Sequence, residues 1–343
     1  MRAVVYTAPR KFEVRELPEP APGPGEVVVS VSATGICGTD LHIHDGGFFS
    51  SWPLTPGHEI YGTVASVGDG VDNLSPGQRV VVDNASVCAA CPECMRGDAL
   101  FCRNFRSLGV NAPGGFAEKV LATASHTYPV ALDPDLAVLA EPLACVVHGM
   151  DVLALKTGAD VLLLGAGTTG LLLAQMLLHG GAGRVTVAAP TVSKLEVAQR
   201  LGVDQAVQIQ RGAVENTHQQ LHALNTGGFD VTIDATGHAP LVEVLPLLTR
   251  TGGTVFVYGM CDERALVHWS PYEIFRRQLT VKGSFAQVHC FGRALALLDS
   301  GRIRADGIIT HRFALDEYPA ALETVGSNPA CLKAIVEPRR RAP

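Results

Sequence analysis

The sequence has few charged and few aromatic residues, and positive charge is scarce. Charged residues make up 17% of the 343 residues, aromatic residues 6%, and the formal net charge is −6. The only basic run is formed by Arg339, Arg340 and Arg341 near the C-terminus. Nucleic-acid-binding proteins usually carry a basic surface, so we expect no nucleic-acid partner. The hydrophobic fraction of 47% is typical of a folded globular protein and not of a disordered one.

A secretion signal and an uninterrupted membrane-spanning run are also lacking. The chain starts Met1-Arg2-Ala3-Val4-Val5, without a basic segment followed by an apolar one, so we expect a cytoplasmic protein without a membrane partner. The most apolar stretch covers residues 161–178, but three glycines and two threonines interrupt it. A buried strand, a turn and a helix explain that pattern better than a membrane span.

The length predicts about two domains. Up to about residue 145, short β-branched runs separated by proline and glycine predict a β-rich, barrel-like unit with strands at 26–31, 62–67 and 79–82, and the proline-rich segment 18–25 joins two early strands. From about residue 160, apolar strands alternate with helical segments, which predicts an α/β doubly wound parallel sheet. The predicted strands of that sheet are 161–164, 184–188, 206–209, 231–234, 254–258 and 279–283.

A glycine motif follows the first of these strands. Gly165, Gly167 and Gly170 match Gly-x-Gly-x-x-Gly, with Thr168 and Thr169 between the last two. In this context the glycines permit a tight turn, an approach of the backbone to a pyrophosphate and close packing of helix on strand. The motif predicts dinucleotide binding, although a glycine-rich turn without a ligand has the same sequence.

The carboxylate that binds the adenosine ribose in many dinucleotide sites is missing. Ala189 stands where that acid is expected, and Thr191, Ser193 and Lys194 follow. Without the acid, a 2′-phosphate is not repelled, and the following side chains can bind it. The sequence therefore favours NADP(H) over NAD(H), although an NAD enzyme can also tolerate a small residue there.

Four of the nine cysteines lie within fifteen residues. The spacing of Cys88, Cys91, Cys94 and Cys102 suits a tetrahedral zinc ion with all four positions filled by protein, so its role would be structural. An iron–sulfur cluster is the alternative, but no other feature of the sequence indicates electron transfer.

A second, looser set contains Cys37, His58 and Glu141. A thiolate, an imidazole and a carboxylate that leave one position open have the composition of a catalytic zinc site. Each residue also has an ordinary explanation: a buried thiol, a core histidine and an acidic residue at a helix start.

Together these motifs resemble the zinc-dependent medium-chain alcohol dehydrogenase family, over essentially the whole chain. The resemblance rests on the order of the Cys37–His42 segment, the Gly57-His58-Glu59 motif, the four-cysteine lobe, Glu141-Pro142-Leu143 and the Gly165 loop. It implies a GroES-like catalytic domain at 1–146 with a zinc lobe at about 86–104, a Rossmann domain at 147–284, and a segment at 285–343 that returns to the catalytic domain. Glu141-Pro142-Leu143 resembles the polyol and threonine dehydrogenase branch.

The resemblance also implies roles for individual residues. Cys37 and His58 would bind a catalytic zinc, with Glu59 or Glu141 as a further ligand or with Glu141 holding a water molecule. Thr39 would pass the substrate proton towards the cofactor ribose and His42, and Asp40 would orient His58. Lys333 would lie near the cofactor phosphates.

The expected function is zinc-dependent hydride transfer between a nicotinamide cofactor and a small secondary alcohol or ketone, with a polyol or sugar alcohol as the expected substrate. Two Zn²⁺ ions per chain and a homo-oligomer, dimer or tetramer, are expected by resemblance. The alternative is an NADPH-dependent reductase or reductive cyclase that acts on an activated double bond. A non-catalytic protein that retains the fold is a third hypothesis.

Overall fold

The computed structural model describes residues 1–340 as two compact units, so Arg341 of the basic run lies outside the described residues. Unit 1 comprises Met1–Ala144, Gln287–Asp299 and the described residues from Ile309 on, and unit 2 comprises Cys145–Ala286 and Ser300–Ile308. The domain limits derived from the sequence stay a prediction. In the structure, the short segment Ser300–Ile308 lies with unit 2 and not with the rest of the C-terminal part.

The described chain contains seventeen strands and eleven α-helices, numbered in chain order. The strands are β1 (Arg2–Ala8), β2 (Lys11–Glu16), β3 (Glu26–Ile36), β4 (Glu59–Val67), β5 (Arg79–Val82), β6 (Ala85–Ser86), β7 (Arg106–Ser107), β8 (Lys119–Thr123), β9 (Thr127–Pro129), β10 (Asp160–Leu164), β11 (Arg184–Ala189), β12 (Gln205–Gln208), β13 (Phe229–Asp234), β14 (Thr249–Val257), β15 (Thr280–Gly283), β16 (Ile309–Ala314) and β17 (Lys333–Glu337). The helices are α1 (Gly38–His44), α2 (Pro92–Met95), α3 (Pro134–Ala137), α4 (Ala140–Leu153), α5 (Thr168–His179), α6 (Val192–Arg200), α7 (Val214–Leu224), α8 (Ala239–Leu248), α9 (Pro271–Arg276), α10 (Phe291–Asp299) and α11 (Tyr318–Ser327).

Unit 1 is built around a seven-stranded sheet in the order β16-β17-β3-β4-β5-β9, with β8 also paired to β3. Alternate residues of the strands point into one core, where Val27, Val29 and Val31 of β3 pack with Val64 of β4 and Val80 of β5. The predicted β-rich unit is confirmed. The proline-rich segment 18–25 lies between β2 and β3, as expected.

The apolar segment near the end of the chain forms β17. Its pairing partner could not be predicted from the sequence. This strand pairs antiparallel with β3, so that Ala334 lies opposite Ile36 and Ile335 opposite Gly35. The pairing brings the start of β17 beside the end of β3, where the candidate metal ligands begin.

Unit 2 contains a six-stranded sheet in the order β12-β11-β10-β13-β14-β15, and all its strand pairs are parallel. The six predicted strands are confirmed, and only β14 starts clearly earlier than predicted. The strand order reverses between β10 and β13, which is where such folds bind their ligands. Within residues 1–340, no helix has both the length and the apolar character needed to cross a bilayer. The apolar stretch 161–178 forms most of β10, a turn and most of α5.

Candidate functional site

Cys37 and His58 meet in unit 1 although 21 residues separate them. The Cys37 Sγ lies 3.0 Å from the His58 Nε2. Cys37 caps the N-terminus of α1, where its sulfur accepts the Thr39 backbone N–H at 3.3 Å and its own N–H donates to the Asp40 carboxylate at 3.0 Å. The capping contacts fix the thiol relative to the helix. The sulfur and the imidazole nitrogen are therefore held close enough to bind one ion.

Asp40 lies on the other side of the His58 ring. Its Oδ1 is 3.7 Å from the His58 Nδ1, and both atoms are buried without a hydrogen-bond partner in the described chain. Burial raises the pKa of Asp40. Burial lowers the pKa of His58, but the charges of Cys37 and Asp40 raise it. The net pKa is well above the usual value for histidine. An Nδ1–H that faces a carboxylate leaves Nε2 available as a metal ligand, so this donor set fits zinc.

Glu59 is a buried carboxylate next to His58. Its ligand oxygen, the Cys37 sulfur and a His58 ring nitrogen all lie within 4.8 Å of one another. Glu59 pairs with Gly35 across β3 and β4, and a Cβ on residue 35 would lie 1.7 Å from the Glu59 Oε2. Only glycine at position 35 therefore leaves room for this carboxylate.

Lys333, which the resemblance places near the cofactor phosphates, contacts Glu59 in the structure. The side chain is buried, and its Nζ donates to both carboxylate oxygens of Glu59 at 2.6 and 2.8 Å and to the Ile36 carbonyl at 3.2 Å. An ammonium group has three N–H donors, so none is left for a phosphate. Burial lowers the pKa of Lys333, but the Glu59 charge raises it to a net value above the usual one.

The other residues predicted at this centre lie in the same unit. Glu141 is half-buried in the first turn of α4, and its charge contributes to the raised pKa of His58 and of Lys333. Thr39 and His42 are half-buried on α1. Their spacing of three residues places them on one face of the helix.

The four cysteines of the lobe form a second cluster. The Sγ–Sγ distances are 3.5 Å for Cys88–Cys102, 3.5 Å for Cys91–Cys94 and 3.9 Å for Cys91–Cys102. A tetrahedral ion with Zn–S bonds of about 2.3 Å requires sulfur–sulfur distances of about 3.8 Å. Hydrogen bonds from Ala90, Asn104 and neighbouring groups lower the pKa of Cys88 to about 6, whereas burial raises the pKa of Cys94 to about 12. This donor set also fits zinc.

The three glycines of the loop in unit 2 differ in what the structure requires at each position. Gly165 has a φ of +113°, and a Cβ on Gly170 would lie 2.2 Å from the Gly165 carbonyl oxygen. Gly167 is the N-cap of α5, and a Cβ there would meet nothing within 4 Å. The loop therefore leaves open space beside Gly167, at the end of a helix whose N–H groups attract anions. Thr168 and Thr169 form the first turn of this helix.

The residues predicted to choose between cofactors follow β11. Ala189 is buried at the end of the strand, and Thr191 is the N-cap of α6. Ser193 is exposed and Lys194 half-buried in the first turn of that helix. They lie at the carboxyl edge of the sheet, as the glycine loop does.

Sequence reasoning missed two features of these sites. The ion pair of Glu59 with Lys333 joins residues 274 positions apart, and no pattern in the sequence predicts it. Asp234, the last residue of β13, is fully buried at the carboxyl edge of the sheet. Its position at the end of a predicted strand was the available signal in the sequence.

Comparison with known proteins identifies the family. Residues 23–132 match the family model of the alcohol dehydrogenase GroES-like domain, and residues 168–300 match that of the zinc-binding dehydrogenases. The chain is 43% identical over 340 residues to D-arabinitol dehydrogenase 1 of Uromyces fabae, which covers 98% of this chain and 97% of that protein. This chain belongs to the zinc-dependent medium-chain alcohol dehydrogenase family. The predicted family is confirmed, and the protein is an NAD(P)-dependent alcohol dehydrogenase that acts on a small-molecule alcohol.

Two further relatives of this dehydrogenase also match over nearly the whole chain. D-altritol 5-dehydrogenase of Agrobacterium fabrum is 36% identical over 344 residues, covering 97% of this chain and 98% of that protein. A crystal structure from Sinorhizobium meliloti 1021, described as a zinc-binding dehydrogenase bound to NADP, has a TM-score of 0.90 and 36% identity. The alignment with that structure covers 98% of the dehydrogenase and 99% of that chain.

Proposed function

We propose that this dehydrogenase oxidises a secondary hydroxyl group of a polyol, with NADP⁺ as the hydride acceptor and two zinc ions per chain. The observation that carries the proposal is the 3.0 Å approach of the Cys37 sulfur to the His58 Nε2 beside buried carboxylates. The polyol class is supported by the relatives that act on D-arabinitol and D-altritol, at 43% and 36% identity.

Cys37 and His58 would hold the catalytic zinc, and Glu59 or Glu141 would supply the third ligand. When bound, the metal supplies Lewis-acid polarisation of the substrate oxygen. Glu59 is bound on both oxygens by Lys333, whereas Glu141 is half-buried at a helix start. This difference favours Glu141 as the third ligand, or as the group that holds a water molecule, while Lys333 keeps Glu59 in place. Cys88, Cys91, Cys94 and Cys102 would hold the structural zinc.

Thr39 and His42 would carry the substrate proton away. The Thr39 hydroxyl can accept a proton from the substrate while it donates its own to a neighbour, and His42 lies one helical turn further along α1. Asp40 would keep His58 in the tautomer that presents Nε2, since its Oδ1 lies nearest the Nδ1 of the ring.

The NADP preference rests on Ala189. A buried alanine at the end of β11 removes the acid that would repel a 2′-phosphate. Thr191, Ser193 and Lys194 at the start of α6 would bind that phosphate, and Gly165, Gly167 and Gly170 would admit the pyrophosphate beside Thr168 and Thr169. The NADP named in the related structure agrees with this assignment. Cytoplasmic location and the dimer or tetramer stay predictions.

The test combines metal content with hydride transfer. The purified protein is analysed for zinc and assayed with D-arabinitol, D-altritol, sorbitol, threonine and 2-butanol, each with NADP⁺ and with NAD⁺. We expect two zinc ions per chain and the highest kcat/KM with a polyol and NADP⁺. Cys37→Ser should remove one zinc and at least about 100-fold of the activity. Cys261→Ser, a half-buried cysteine outside both clusters, should leave the zinc content unchanged.

Activity that survives Cys37→Ser in a chain with one zinc would contradict the proposed mechanism. Reduction of activated double bonds by NADPH would then become the better hypothesis. Absence of hydride transfer with every alcohol at saturating cofactor would contradict the polyol assignment.

A further inference from the structure

Asp234 is a buried carboxylate that the proposed mechanism does not use. Its Oδ1 accepts the Thr236 backbone N–H at 2.9 Å and the Thr236 hydroxyl, and its Oδ2 accepts the Gly237 N–H at 3.0 Å. A backbone N–H can only donate, so both carboxylate oxygens act as acceptors. This arrangement suits the ionised carboxylate.

The charge of Asp234 lacks a cationic partner within residues 1–340. The three donors are neutral, and the charge of the exposed His238 lowers the pKa of Asp234 less than the hydrogen bonds from these donors do. Burial raises the pKa of Asp234, while the hydrogen bonds from Thr236 and Gly237 oppose that shift. Because a buried carboxylate is usually balanced by a cation, Asp234 provides a negative charge that a bound ligand can balance.

Asp234 lies where the strand order of the sheet reverses. The loop that follows β13 packs on the glycine loop that follows β10: the Ala235 N–H donates to the Leu164 carbonyl at 2.8 Å, and a Cβ on Gly165 would lie 2.9 Å from the Ala235 oxygen. A dinucleotide binds across such a crevice, with one mononucleotide on each side. Since the adenosine side is formed by β10 and β11, the nicotinamide side falls to β13 and β14.

The loop that follows β14 is hydrogen-bonded to Asp234 as well. The Asp234 carbonyl accepts the Tyr258 N–H at 3.0 Å and the Gly259 N–H at 2.8 Å. A Cβ on Gly259 would lie 2.6 Å from the Asp234 Oδ2, so glycine is required at that position. The carboxylate is thus enclosed by the two loops at the nicotinamide side of the sheet.

We propose that Asp234 shifts the relative affinity of the site towards the oxidised nicotinamide cofactor and away from the reduced one. The oxidised ring carries a positive charge that hydride transfer removes, so a buried carboxylate nearby stabilises the oxidised form selectively. The inference rests on the proposed function, because it requires a nicotinamide cofactor at this crevice.

The test is the dissociation constant of each cofactor form, measured by titration calorimetry at constant ionic strength. Wild type, Asp234→Asn and the control Thr236→Val are each titrated with NADP⁺, NADPH, NAD⁺ and NADH. We expect Asp234→Asn to weaken the oxidised form about tenfold relative to the reduced form, the order of effect for one unit charge in a protein medium. Thr236→Val removes a hydrogen bond but keeps the charge, so it should weaken both forms alike.

Equal weakening of oxidised and reduced cofactor by Asp234→Asn would overturn the inference, since a purely structural residue has that effect. If the Asp234→Asn chain does not fold, Asp234→Ser provides a neutral acceptor that is smaller, and the same ratio decides. Failure of the wild type to bind any of the four cofactor forms would instead overturn the proposed function. The two failures are therefore distinguishable.

Discussion

Lys333 and Glu59 form a buried ion pair in which the ammonium group contacts both carboxylate oxygens at 2.6 and 2.8 Å. The pair lies next to the candidate metal ligands Cys37 and His58. Glu59 directly follows His58, and the Lys333 Nζ also donates to the carbonyl of Ile36, the residue before Cys37. A carboxylate beside a thiolate would otherwise add a second buried negative charge. Lys333 therefore balances the charge of the site and holds Glu59 in one position.

Removal of the Lys333 charge should destabilise unit 1. Lys333→Met leaves the Glu59 carboxylate buried without its cation, and we expect a loss of about 3–5 kcal/mol in the free energy of unfolding. The double variant Lys333→Met with Glu59→Gln should recover part of that loss, because the unpaired charge is gone. Urea denaturation of the zinc-loaded protein measures both. A Lys333→Met chain as stable as the wild type would contradict the importance of the pair.

The sequence predicted the fold better than it predicted the contacts of the site. The six strands of unit 2 were recognisable because each is a short apolar run between helical segments, and the cysteine clusters because their spacing fits metal ligation. The prediction of Lys333 near the phosphates rested on a basic residue near the end of the chain, and such a position says nothing about the residue that it contacts. Only the pairing of β17 with β3 brings Lys333 to Glu59. Asp234 escaped notice because its burial and its neutral donors depend on loops that tertiary packing shapes.

Loss of the structural zinc should loosen the lobe of unit 1 between β6 and β7. Cys91→Ser removes one of four sulfurs that lie 3.5 to 3.9 Å apart, and this segment has little buried apolar surface to hold it without metal. We expect one zinc fewer per chain and proteolysis at residues 86–104 at least about tenfold faster. Cys261→Ser serves as the control. Unchanged zinc content in Cys91→Ser would contradict a four-sulfur site.

Cofactor choice should respond to a charge at position 189. Ala189→Asp places a carboxylate where a 2′-phosphate would bind, so the ratio of kcat/KM for NADP⁺ to that for NAD⁺ should fall about 10–100-fold. Ala189→Asn has the same size without the charge and should change the ratio far less. Steady-state kinetics with both cofactors decides. Equal use of NADP⁺ and NAD⁺ by the wild type would contradict the assigned preference.

The glycine loop offers a test in which stability and binding separate. A Cβ on Gly170 would lie 2.2 Å from the Gly165 carbonyl oxygen, so Gly170→Ala must move helix α5 away from strand β10 and should lower the free energy of unfolding by about 1–3 kcal/mol. A Cβ on Gly167 meets only open space, so Gly167→Ala should leave stability unchanged or raise it slightly. If a pyrophosphate approaches the backbone there, Gly167→Ala should still weaken NADP⁺ binding at least about tenfold. Thermal unfolding without cofactor and calorimetric titration with NADP⁺ measure the two effects, and full NADP⁺ affinity in Gly167→Ala would exclude the pyrophosphate from this loop.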